Sequence, residues 1–303
     1  MTMSTSTPSP SAPASQRPRP RPRPRRDSGP GVNFGRVLTS EWIKVTTVPS
    51  TIILIISTVV VMVGLAALFA WALFMNQQQL AGGTTPEAGG PGMAGINPLE
   101  EAWTVPSSGL IFGQLLIASL AVVLIASEWA TGMIRSTLVA VPKRIPALLA
   151  KNAIVALVAF VVGAVSALLS YLVAQPILAG ENLDFSLSTE GVLPSVWNTG
   201  TYLAFIAVIS MAIGTLLRNT AGGVVTAVAL FFVVPVIIVN LLSGLADWIP
   251  DAARFLPTNA GNQLIAITTA DGALTQWEGG LVMAAWALIL LAVSLIVTKQ
   301  RDV

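Results

Sequence analysis

Residues 153–175 read AIVALVAFVVGAVSALLSYLVAQ, an unbroken apolar stretch with no charged residue. Its length matches the roughly 20 residues a helix needs to cross a hydrocarbon core about 30 Å thick. The segments of a soluble α/β domain would alternate polar and apolar positions within each element, and this stretch does not. Runs of the same kind recur, and we place spans near 51–75, 108–127, 153–175, 196–217, 222–242 and 279–298. The expected fold is an all-α polytopic membrane protein with six transmembrane helices, the transmembrane domain covering residues 34–303.

Just before that stretch lies SEWATGMIRSTLVAVPKRIPALLAKN, residues 127–152, the one segment inside the embedded body that carries several cations. An even number of spans puts both termini on one side, and every Lys and Arg except Arg254 then falls on that side. The positive-inside rule assigns it to the cytoplasm, so the expected location is the plasma membrane with both termini cytoplasmic. Glu87, Glu100, Glu101, Glu181, Asp184, Glu190, Asp247, Asp251, Asp271 and Glu278 all fall in the outside segments. The formal net charge of +2 conceals this asymmetry and offers no sign of a nucleic-acid partner.

The chain has no cysteine and no histidine. Disulfides, Cys or His zinc sites, haem ligation through His and nucleophile–histidine pairs are thereby excluded, and we expect no catalytic, metal or cofactor-binding residue on this chain. None of the six apolar runs contains Asp, Glu, Lys or Arg. Proton-driven carriers commonly use such groups within the membrane despite an insertion cost of about 2.5–3.5 kcal/mol each, and intramembrane enzymes need an acid, base or nucleophile at depth. Sodium coupling through carbonyl and hydroxyl oxygens stays open at Ser166, Ser170, Thr201, Ser210, Thr215 and Thr226, whose plainer reading is helix packing and bonding back to the preceding turn. Gln114, Gln175 and Asn240 are the candidates for lining a polar path, with interhelical hydrogen bonds or span ends as the alternatives.

Outside the spans, residues 1–33 read as a disordered arm, Ser-, Pro- and Ala-rich at first and then RPRPRPRPRR over 17–26. Attraction to anionic lipid, about 1 kcal/mol per cation near the surface, accounts for the arm without a specific partner. Phe34, Val37, Leu38, Trp42 and Val45 recur at helical spacing, with Arg36, Ser40, Glu41 and Lys44 on other faces. They predict an interfacial amphipathic helix that Pro49 ends. Residues 76–107, rich in Gly and Pro, read as a mobile loop. Residues 245–278, with Trp248, Ala252 and Phe255 on one helical face and breaks at Pro250 and Pro257, read as short helices at or dipping into the outer interface.

Within 127–152, Glu128, Gly132 and Arg135 lie within two helical turns on nearly one face, and Pro142 and Pro146 cap and redirect the chain. Charge alone would make this segment a topology signal. Its place in a larger pattern adds to that. An interfacial GRVLTSEWIK helix at 35–44 is followed by six spans, by Glu128-x-x-x-Gly132-x-x-Arg135 with Pro142-Lys143-Arg144 and Lys151, and by LPTNA at 256–260 before the last span. This combination resembles the ABC-2 type permease family, particularly its small actinobacterial-type members, over about residues 34–301.

The resemblance implies a coupling helix between spans two and three that docks on a separate ATP-binding subunit, and short re-entrant helices between spans five and six. It also implies a second copy of the permease or a related one, with a pathway between the two. The sequence contains no G-x-x-x-x-G-K-[ST] phosphate loop, so ATP and Mg would sit on the partner subunit. In that reading Glu128, Gly132 and Arg135 orient a short helix whose Met133, Ile134 and Leu138 enter a groove on the ATPase, with Lys143 and Arg144 as rim charges. Export of a hydrophobic or amphiphilic compound, a drug, lipid or peptide, is the expected activity. An ATPase-independent channel or carrier, and a non-transporting assembly or sensory subunit, are the alternatives.

Overall fold

A computed structural model of the protein describes residues 34–81, 98–132, 144–246, 248–269 and 272–300. The basic arm, residues 1–33, and residues 133–143 lie outside them. Helix α1 spans Phe34–Thr47 and α2 spans Pro49–Ala81. Pro49 opens α2, where a proline forfeits no hydrogen bond, since the N–H it lacks would have no helical partner at that position in any case. The buried stripe of α1 is Val37, Glu41 and Val45, while Phe34 and Trp42 are exposed. The apolar face read from the sequence is therefore split. Glu41, placed on another face from sequence, turns inward with the valines.

At 33 residues α2 is about 50 Å long and outruns its apolar stretch. Residues 76–81 are its last turns and not part of a loop. The far side of the expected loop is also helical: α3 at Pro98–Thr104 and a tight turn at Val105–Ser107 lead into α4, Leu110–Ala130. Ala102 and Val105 are wholly buried, in one apolar cluster with Tyr171, Phe185 and Val192. The Gly and Pro that suggested a loop are concentrated in residues 82–97, outside the described residues.

Helix α5 runs from Arg144 to Leu178 and includes Pro146 in its first turn. A proline is tolerated there, so Pro146 does not redirect the chain. Helix α6 is Val192–Leu217, and α7, Thr220–Val228, is capped by the Asn219 side chain accepting from the Gly222 N–H. The fifth span continues through a wide π turn at Ala229–Val233, α8 at Val234–Ile237 and a second wide turn at Ile238–Leu242. Two short helices follow, α9 at Trp248–Ala253 and α10 at Pro257–Ile265, before α11 at Gln276–Gln300. The described residues contain no strand.

Among the described residues, six helical segments are long and apolar enough to cross a bilayer: Pro49–Ala81, Pro98–Ala130, Ile145–Glu181, Val192–Leu217, Thr220–Ile237 and Gln276–Gln300. The chain is thus an all-α, multi-pass membrane protein. In their most apolar 18 residues the second, third and fourth have 61%, 50% and 67% of positions buried, against 17%, 22% and 17% for the first, fifth and sixth, so α4, α5 and α6 form the centre. There α5 and α6 touch backbone to backbone: a Cβ on Gly200 would lie 2.6 Å from the Phe160 carbonyl oxygen. Small residues at such crossings let packing and dispersion hold helices that have no hydrophobic drive to associate in lipid.

Candidate functional site

The end of the bundle at which α1 lies holds a lattice of four charges. Lys151, near the start of α5, donates to Glu41 of α1 and, at 2.8 Å, to Oε1 of Glu128 in the last turns of α4. Lys44 donates to Glu41 Oε1 at 2.7 Å and to Glu128 Oε1 at 3.2 Å. The side chains of Glu41, Glu128 and Lys151 are 2%, 7% and 7% exposed, so three of the four charges have left water almost entirely. Desolvation costs several kcal/mol per ion, and only close pairing with hydrogen bonds offsets it. The two acids and two lysines balance, and the lattice is formally neutral.

Burial alone would push the Glu41 carboxyl up, but Lys151 and then Lys44 outweigh it and hold the group below its ordinary 4.5. At Lys44 burial favours the neutral amine, and the carboxylates of Glu41 and Glu128 reverse that, raising the group above 10.5. Both shifts favour the ionised lattice.

The other side of the α4 terminus is held as well. The Arg218 guanidinium, just past α6, stacks on the Trp129 ring at 3.9 Å from its centroid, a cation–π contact between neighbouring helix ends. Helix α4 stops where Gly132 takes a φ of 70° and its N–H reaches the Trp129 carbonyl. A glycine in the left-handed region is a helix terminator, so Gly132 ends the helix that carries Glu128 and does not share a helix face with it. Of the expected coupling residues, Met133, Ile134, Arg135, Leu138 and Lys143 lie outside the described residues, and Arg144 is the first residue of α5. Glu128 belongs to α4 and to the lattice.

The opposite end contains a cavity of about 330 Å³ between the start of α4, the fifth span and α10. Its polar wall includes Gln114, Tyr202, Thr258, Asn259 and Asn262; its apolar wall includes the exposed Ile111, Phe232 and Val236. The Tyr202 hydroxyl donates to Gln114 Oε1. Pro235 has no N–H to offer the carbonyl of Phe231 one turn earlier, and Thr258 of α10 donates its hydroxyl to that carbonyl instead, at 2.7 Å. Asn198 and Ser195 of α6 donate to the last carbonyls of α10, those of Leu264 and Ile265, at 2.8 and 2.7 Å. Helix α10 is therefore pinned at both ends, with Tyr202 packed against Gly261, where an added Cβ would fall 1.8 Å from the ring.

Of the residues expected to line a polar path, Gln114 is in this cavity. Gln175 accepts from the Phe185 N–H at 3.1 Å and anchors the connection after α5 instead. Asn240 falls in the second wide turn, its side chain outside the described residues. Thr201 and Thr215 bond back to the carbonyls of Trp197 and Met211, as packing hydroxyls do, whereas the buried hydroxyls of Ser166, Ser170 and Ser210 make no such bond. Among the described residues no group of three His, Cys, Asp or Glu could hold a metal ion.

Sequence reasoning missed Glu41, Lys44 and Lys151 as members of one site. The available signal was Lys151 standing directly before an apolar run, and the Glu41–Lys44 spacing that sets both on adjoining faces of α1. No protein-family model matches the chain, and none of the curated proteins does.

Proposed function

We propose that the chain is the membrane-spanning subunit of an ATP-driven ABC-2 type transporter, with both termini cytoplasmic and a separate ATP-binding subunit holding ATP and Mg. The observation that carries this reading is the buried lattice of Glu41, Lys44, Glu128 and Lys151. It ties the surface helix α1 to both helices that flank residues 133–143. A force applied to that connection by a docked ATPase would move α1, α4 and α5 together, because pulling α5 from α1 and α4 would strand the buried Lys151. Gly132 supplies the turn at which the connection leaves α4.

The cavity at the opposite end supports a cargo with a neutral, hydrogen-bonding part and an apolar part, since amides and hydroxyls line one wall and lipid-facing apolar residues the other. Among the described residues, no ionisable group other than Tyr202 lines it. Export of such an amphiphile, through a path completed by a second permease chain, is the activity we assign.

The test is affinity purification of the full chain in mild detergent, followed by reconstitution. An ATP-binding subunit in stoichiometric amount, and vesicle transport that needs ATP and fails when Arg135 is charge-reversed or Ile134 and Leu138 are truncated, is the expected result. Transport without nucleotide would instead make the chain a channel or carrier. A bound partner with no cargo crossing would make it an assembly or sensory subunit.

A further inference from the structure

A second cavity, about 320 Å³, opens beside the charge lattice between the α1–α2 elbow and the last three turns of α4. Leu54 of α2 and Leu120 and Leu124 of α4 line its depth, and Ser50 and Ser127 stand exposed on its two walls. From Leu120 to Ser127 is seven residues, about 10 Å of helix, so an apolar slot runs lengthwise into the span and ends at a polar rim.

The lattice does not turn its charges evenly toward this slot. Among the described residues the lining holds Lys44, Lys151 and Glu128, while Glu41 is not part of it. Glu128 takes both lysines on Oε1, and its Oε2 is closed to water, so the carboxylate has no free oxygen for an occupant. Lys151 is almost wholly buried and acts on the crevice through its charge. Lys44 is a third exposed and uses two of its three N–H groups on Glu41 and Glu128, which leaves one. An occupant therefore meets donors at the rim: one ammonium N–H and the hydroxyls of Ser50 and Ser127, backed by a second cation.

We propose that this crevice binds one phospholipid of net negative charge. A phosphate oxygen accepts from Lys44, the others accept from Ser50 and Ser127, and the first part of an acyl chain lies along Leu54, Leu120 and Leu124. A phosphodiester is acceptor-only, which matches a rim of donors. An ammonium on the headgroup, primary or quaternary, would stand beside two lysines with no free carboxylate oxygen to meet it, so zwitterionic lipids fit less well than an anionic one. Inorganic phosphate could use the rim but not the slot, and the slot makes the occupant a lipid. This site stands independently of any transport activity.

The experiment uses the full chain, equilibrated in nanodiscs of equal parts phosphatidylglycerol, phosphatidylethanolamine and phosphatidylcholine with identical acyl chains. The chain is then moved into neutral detergent and washed at about 1 M sodium chloride, where the Debye length of about 3 Å releases lipid held only by the exposed cations of the basic arm. Retained lipid is counted by mass spectrometry. Phosphatidylglycerol should be retained over each of the other two by about fivefold, the factor that one cation near a membrane surface supplies. Ser127→Trp, at an exposed position on the crevice wall, should abolish the preference while the protein stays monodisperse. Ser127→Asp and Ser127→Lys leave the crevice open and should lower and raise the preference respectively. Equal retention of the three lipids, dominance of either zwitterionic lipid, or an unchanged preference in S127W would each overturn the proposal. So would the same response to Asp and Lys, or displacement of the lipid by inorganic phosphate at constant ionic strength. The Asp and Lys pair decides the matter should S127W misfold.

Discussion

Lys151 donates to Glu41 across 110 residues of chain, and each is among the most deeply buried charged side chains in the described protein. Removing Lys151 while keeping Glu41 leaves two buried carboxylates, Glu41 and Glu128, with Lys44 alone to compensate them. Lys151→Met should lower unfolding free energy in mixed micelles by about 3–5 kcal/mol, the range for breaking a buried pair. Adding Glu41→Gln should recover part of that loss, because the stranded charge is gone. Equal or additive losses in the double variant would show that the two residues do not act as a pair.

The pH dependence follows from the two shifted groups. Glu41 lies below its ordinary 4.5 in the folded protein, so its contribution is present above that value and is lost as pH falls through the folded pKa. Lys44 lies above its ordinary 10.5, so its contribution is present below that value and is lost as pH rises through the folded pKa. Thermal midpoints should be flat between these limits and fall on the acid side below about pH 4.5. Glu41→Gln should shrink the acid-side slope; an unchanged slope would move the acid sensitivity to other carboxylates.

Tyr202 and Gly261 make the tightest of the glycine contacts, with the ring where a side chain on residue 261 would have to stand. Gly261→Ala forces either the ring or α10 to move. Overpacking of this kind costs about 1–3 kcal/mol. The variant should unfold at lower temperature and should free the Tyr202 hydroxyl from Gln114, readable as a shift in tyrosine absorbance. Wild-type behaviour in both measurements would mean that α10 is not seated against the ring.

The six spans were legible because a bilayer imposes a length and a composition that survive in a single run such as residues 153–175. The charge lattice was not, because nothing local marks Glu41 as buried: it stands among polar residues on a short helix, and its buried partner Lys151 lies 110 positions away. Helical spacing put Trp42 on the apolar face of an interfacial α1 and Glu41 on another face; in the structure Glu41 is buried with Val37 and Val45 and Trp42 is exposed, because a tryptophan is at ease in a membrane interface and a paired carboxylate can be buried. Gly132 illustrates a third limit. Residue spacing aligned it with Glu128 and Arg135, but a positive φ is a property of the backbone that only the fold reveals.

Thr258 and Pro235 are linked through a carbonyl that belongs to neither. The proline leaves Phe231 without its regular helical donor, and the threonine hydroxyl supplies one from α10 at 2.7 Å. Thr258→Val keeps the shape and removes the donor, so it should cost about 1–2 kcal/mol and Thr258→Ser much less. Pro235→Ala restores a backbone N–H in the fifth span and should therefore rescue most of the Thr258→Val loss. If the two substitutions instead add independently, the wide turn at Ala229–Val233 is satisfied without α10 and the short helix is not anchored to the fifth span through this bond.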